Sequence, residues 1–216
     1  MTFGKSNASR SLGLPVLCLI WFILPGPAAT SVAQTSPQSE REAGSAGWNV
    51  EQLMESLARN RPAEVRFEET AFSTLLTQPL KTQGILRFSP PAGLEKHITS
   101  PYDERYLVEG DSVLVENKTK GTKRTLSLHD YPALRAFIEA FRSTLANDVI
   151  TLRRFYSVTL QGEPPRWVLI LRPLDKAMQE LAESIRFSGE REQVRSIEIL
   201  APDGDRSVMV ITTGAP

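Results

Sequence analysis

TQGILRFSPPAGLEKHITSP, residues 82–101, holds two extended segments on either side of a double proline. Gly84, Leu86 and Phe88 fall on one side of the first segment, with Ile85 and Arg87 on the other, the two-residue period of a strand. Leu94, Lys96 and Ile98 repeat that period after the prolines. Pro90 and Pro91 have no N–H to give to a ladder, so they end pairing and read as a hinge or a tight turn.

The same period runs outward in both directions. Upstream, Val65, Phe67 and Glu69 alternate with Arg66, Glu68 and Thr70, and Pro79 marks a turn before the quoted stretch. Downstream come Tyr106 to Val108, a turn at Glu109-Gly110-Asp111, Val113 to Glu116, the polar turn NKTKGTK, and Arg124 to Leu128. Five or six short strands joined by short turns predict an antiparallel meander, because parallel pairing needs long crossovers.

Helical spacing flanks this meander. Val50, Leu53, Met54 and Leu57 form an amphipathic stripe that Asn49 can cap and Pro62 ends. After Asp130, a cap-like residue, and Pro132, a helix starter, Leu134, Phe137, Ile138, Phe141 and Leu145 form a broad apolar stripe, with Arg135, Glu139 and Arg142 expected to face away. A second helical piece is expected at Asp148 to Arg154. Strand patterns resume at Tyr156 to Leu160 and Trp167 to Leu171, with a helical turn or two between Leu174 and Leu181. Ser184 to Ser188, Val194 to Leu200 and Ser207 to Thr212 follow, the last two joined by the turn Pro202-Asp203-Gly204-Asp205. The order helix, meander, helix, meander predicts an α+β fold: one strongly curved antiparallel sheet, an incomplete β-barrel, with helices covering its concave face.

The N-terminus reads as an export signal. Lys5 and Arg10 precede an apolar run from Leu12 to Leu24, and Ser31-Val32-Ala33 offers a small-x-small cleavage pattern. The run is shorter than the roughly 18–20 residues that span a bilayer. A lipidated Cys18 would need a small residue before it, and Leu17 stands there. The expected organisation is a signal peptide at 1–33, a polar flexible segment at 34–46, and one domain at 47–216, in the periplasm. That chain would carry 23 basic and 25 acidic residues and no cysteine, so its core alone must hold it. Nothing in this balance suggests nucleic acid, whose partners carry a basic stripe.

Chemistry-bearing clusters are sparse. His97 and His129 lie in different segments without further ligands at metal spacing. No glycine-flanked serine or phosphate-cradling loop is present. Glu68-Glu69 and Glu190-Arg191-Glu192 read as solvated faces, since strand neighbours point to opposite sides. The sequence therefore predicts no catalytic residues, no metal and no cofactor. The apolar faces imply either a solid core or a cavity for an apolar guest. The candidate lining is Phe67, Leu86, Phe88, Leu94, Trp167, Leu169, Phe187, Ile197, Ile199 and Met209 from strands, with Leu134, Phe137 and Phe141 from the helix. Composition does not choose between these two uses.

Three stretches carry a resemblance: the FxE strand at Phe67-Glu68-Glu69, the L-x-F-x-x-P-x-x-L-x-K segment from Leu86 to Lys96, and GDRSVM at Gly204 to Met209. Together with the export signal and the first helix, the chain resembles the LolA-like periplasmic lipoprotein carriers, in particular their divergent branch. The resemblance implies a hydrophobic cavity that shelters acyl chains of a lipid-modified protein between the two membranes. It also implies an inner-membrane exporter as donor, an outer-membrane acceptor, transient membrane contact and a monomer. Pro90 and Pro91 would then be the hinge of a lid at the cavity rim. One departure stands out: carriers of this kind place a functional arginine just before the hinge proline, where this chain has Ser89-Pro90-Pro91. Its cargo is accordingly left between a lipoprotein and a lipid-like product such as an aryl polyene or glycolipid conjugate. A regulator of the same fold that binds an antisigma protein is a further alternative, as is an enzyme acting on a bound lipid through His97 or His129.

Overall fold

The computed structural model describes residues 48–89 and 93–212. The proposed signal peptide, the segment 34–46 and the hinge prolines Pro90 and Pro91 lie outside these residues.

Helix α1 spans Val50–Arg59 and starts as its sequence requires. Asn49 accepts from the Gln52 N–H while the Gln52 side chain accepts from the Asn49 N–H, a reciprocal capping box. Six strands follow: β1 (Glu64–Phe72), β2 (Leu80–Ser89), β3 (Gly93–Ser100), β4 (Glu104–Glu109), β5 (Ser112–Asn117) and β6 (Thr122–Ser127). Three helices come next, α2 (Pro132–Ala146), α3 (Val149–Phe155) and α4 (Lys176–Gln179), with β7 (Tyr156–Glu163) and β8 (Arg166–Pro173) between the last two. The chain closes with β9 (Ser184–Glu190), β10 (Gln193–Leu200) and β11 (Arg206–Thr212).

The strands form one antiparallel sheet in the order β6-β5-β4-β3-β2-β1-β11-β10-β9-β8-β7. Every neighbour is a sequence neighbour except one pair: β1 joins β11, Phe67 opposite Ile211 and Glu69 opposite Met209. That seam fuses the two meanders. Edge strands β6 and β7 do not pair, so the barrel stays incomplete.

Alternation decides which side chains face the helices. On β8, Trp167, Leu169 and Leu171 are buried, and on β9 Ile185 and Phe187. Helix α3 packs against β7 and α4 against β8, while α2 contacts all three other helices. Asp205, in the β10–β11 turn, is buried and accepts from the Ser73 hydroxyl and the Thr74 N–H, which ties the β1–β2 loop to that turn.

Two expectations are corrected. Arg142 does not face away from the core: it is 8% exposed, donates to the Gly110 carbonyl at 2.7 Å and pairs with Glu139 at 3.3 Å. A guanidinium can be buried there because a turn carbonyl and a carboxylate receive its protons. The N-cap of α2 is Tyr131, not Asp130, and its side chain makes no capping bond.

Candidate functional site: an apolar cavity with a buried ion pair

The sheet and helix α2 enclose a cavity of about 200 Å³. Alternation and the turns of α2 place its walls. Strands supply Leu86 and Phe88 of β2, Leu94 of β3, Phe187 of β9, Ile197 and Ile199 of β10, and Met209 of β11. Helix α2 supplies Phe137 and Phe141, one turn apart, with ring centres 5.1 Å from each other. Phe141 meets Phe187 edge-on at 5.5 Å, so helix and sheet touch through aromatic rings across the cavity.

Nine of the residues expected from the sequence thus line one space. Four others do not. Phe67 is 1% exposed, Leu134 5%, Trp167 1% and Leu169 0%. The Trp167 ring lies against Gly189, where any Cβ would collide with it, and its Nε1 donates to the Arg191 carbonyl at 2.7 Å. Leu169, opposite Phe187, belongs to the part of β8 that the helices cover. The sequence places these four on the inward face, where they serve as solid core.

The cavity also has lining that the sequence expectations omit. Leu57, Val65, Ile138, Leu145, Val194 and Ile211 extend the apolar wall. Arg61 stands on the lining after α1, its guanidinium 4.1 Å above the centre of the Phe88 ring, and donates to the Leu145 carbonyl at the C-terminal end of α2.

Among the polar residues of this wall, Glu69 is the most deeply buried carboxylate. Expected on a solvated face, it is 5% exposed and lines the cavity, because it shares the inward side of β1 with Val65 and Phe67; only Glu68 points out. Lys96 of β3 donates to Glu69 Oε2 at 2.5 Å, and Thr82 donates to the same oxygen at 3.4 Å. Ser207 of β11 donates to Oε1 at 2.6 Å. The inward alternation of Leu94, Lys96 and Ile98 carried the signal for Lys96. That the two charges meet was not visible, since β1 and β3 are separated by β2.

The histidines are elsewhere. His97 faces outward from β3 and its Nε2 lies 2.9 Å from Asp103 Oδ1, while His129 is exposed. Among the described residues no three His, Cys, Asp or Glu side chains are grouped to hold a metal, and no helix is long and apolar enough to cross a membrane.

No curated protein matches the sequence. Among solved structures, a LolA superfamily protein of Nitrosomonas europaea is 11% identical, covering 79% of this chain and 96% of its own, at a TM-score of 0.40. A putative outer membrane lipoprotein-sorting protein domain of Vibrio parahaemolyticus is 10% identical over 76% of this chain and 92% of its own, TM-score 0.40. The MucA/MucB complex of Pseudomonas aeruginosa contains a chain 11% identical over 77% of this one and 57% of its own, TM-score 0.41. Residues 42–216 match the family described as "Outer membrane lipoprotein carrier protein LolA-like". The chain therefore belongs to the LolA-like family.

Proposed function

We propose that the protein is a periplasmic carrier that holds the acyl chain of a lipoprotein or lipid in its cavity during transfer from the inner to the outer membrane. The observation that carries this reading is the space between the sheet and α2, walled by Phe88, Phe137, Phe141, Phe187 and Met209. A solid core would fill it; an acyl chain fills it at about 0.8 kcal/mol per methylene removed from water. The leader at 1–33 would direct export, an inner-membrane exporter would load the carrier, and an outer-membrane acceptor would unload it. No catalytic step is needed, since burial and release of the chain are both binding equilibria.

The size of the cavity adds a condition. A 200 Å³ space is comparable to cavities of about 150 Å³ that take a benzene ring, and below the roughly 300–1,000 Å³ of pockets for drug-sized ligands. A full-length chain is therefore expected to part α2 from the sheet as it binds.

The test is purification of the exported protein from its native envelope, followed by native and lipidomic mass spectrometry. Near-stoichiometric acylated protein or lipid is the expected result, and its identity decides between lipoprotein and lipid cargo. Protein that arrives empty and takes up no fluorescent acyl probe would overturn the reading.

A further inference from the structure

The Glu69–Lys96 pair is a poor device for stability. Desolvating two charges costs about as much as their attraction returns, and apolar residues of similar volume commonly replace such pairs without loss. Apolar side chains stand next to it: Leu86 lies opposite Lys96 on β2, Met209 opposite Glu69 on β11, and Phe137, Phe141 and Phe187 are among the walls, while Arg61, Arg87, Glu95 and Glu192 are the other charged residues of the lining.

The two partners are not equally satisfied. Glu69 accepts hydrogen bonds on both oxygens, from Ser207 on one and from Lys96 and Thr82 on the other. Lys96 carries three N–H donors. One goes to Glu69, and the ammonium sits 5.2 Å from the centre of the Phe67 ring, which takes a second direction as a cation–π contact. Lys96 lines the cavity with its side chain 11% exposed. The hydroxyls orient the carboxylate, the carboxylate orients the ammonium, and a donor is left for the cavity.

Charge selects what that donor accepts. At Lys96 the charge of the ammonium is already met by Glu69, so a guest carboxylate bound there would add an uncompensated negative charge beside the Glu69 carboxylate, at high cost. A carbonyl oxygen accepts the hydrogen bond and adds no charge. We infer that Lys96, held by Glu69, is a specificity site for the ester or amide carbonyl of a neutral acyl guest. The cavity would then recognise a chain still in its acyl linkage, as in a lipid-modified protein or a glyceride, over a free fatty acid. This inference rests on the carrier function proposed above.

Three pyrene probes of equal chain length test it by fluorescence titration of the mature protein: 1-decylpyrene, the methyl ester of pyrenedecanoic acid, and pyrenedecanoate. The paired variant Glu69→Gln with Lys96→Met removes both charges together, so no lone charge is left buried. Lys96→Arg keeps cation and donors, and thermal unfolding checks that both variants fold. The expected result is ester tighter than acid in the wild type, a loss of about tenfold for the ester in the paired variant, as one hydrogen bond to a charged donor allows, an unchanged decylpyrene affinity, and retention of ester binding in Lys96→Arg. Equal changes for ester and decylpyrene, or no change for either, would overturn the site while leaving the carrier function standing. Acid tighter than ester would overturn the neutral-carbonyl assignment. Failure of the wild type to bind any probe would overturn the carrier function and the site together.

Discussion

Glu95 lies on the outward side of β3, yet its side chain is only 11% exposed, because two arginines close over it. Arg105 of β4 donates to both carboxylate oxygens, at 2.8 and 3.0 Å, and Arg87 of β2 donates at 3.1 Å while pairing with Glu64 at 2.7 Å. Burial pushes the Glu95 carboxyl up, but the hydrogen bonds and charges of Arg105 and Arg87 outweigh it and hold the group below its ordinary value of 4.5. A carboxyl depressed in the folded state contributes stability that is complete above its unfolded value and disappears as pH falls through the folded one. Glu95→Gln is therefore expected to melt below the wild type at about pH 7, with the gap closing once pH drops well under about 4. A gap of constant size across that range would show that the loss is one of packing and not of charge. The same residue-scale logic separates Glu68 from Glu69: neighbours in one strand, one is solvated and the other is buried in the cavity wall.

At the scale of elements, helix α2 forms one wall of the cavity and begins poorly. Pro132 at its first position has no N–H to satisfy, but the next turns start from Tyr131, which offers no side-chain acceptor. Helices α1 and α3 both have one, Asn49 and Asp148. Tyr131→Ser is expected to raise stability by about 0.5–1 kcal/mol, read as a higher urea midpoint at unchanged slope. A lower midpoint would mean that the Tyr131 ring, 36% exposed, contributes more by packing than a serine cap returns. The β2–β3 hairpin is the other informative element. Its strands stay paired up to Ser89 opposite Gly93, the last described residues on either side of 90–92.

At the scale of the molecule, the seam between β1 and β11 makes one curved sheet out of two meanders, and the helices contact one another as a layer within it. A guest longer than the present cavity is expected to move part of that layer. Spin labels on Arg135→Cys of α2 and Arg186→Cys of β9, both exposed positions, would report the motion. The sole native cysteine, Cys18, lies in the proposed leader, so a chain cleaved near Ala33 would carry only the labels. Binding of a palmitoyl guest, verified by native mass spectrometry, should lengthen the distance between them by several ångströms. An unchanged distance in a verified complex would mean that the chain is accommodated by side-chain rearrangement alone.

Periods of two and of 3.6 residues depend only on local backbone geometry, so the sequence by itself determined the order of elements, the antiparallel meanders and the inward faces of each strand. Leu86, Phe88, Leu94, Phe137, Phe141, Phe187, Ile197, Ile199 and Met209 reach the cavity because those faces are local properties. Which inward residues border empty space is not local. Phe67, Leu134, Trp167 and Leu169 share the faces of their cavity-lining neighbours, and only the packing of helices over the sheet made them core. The pairing of Glu69 with Lys96 and Ser207 required strands β1, β3 and β11 to lie within one reach, a result of sheet order and curvature that no alternation pattern contains.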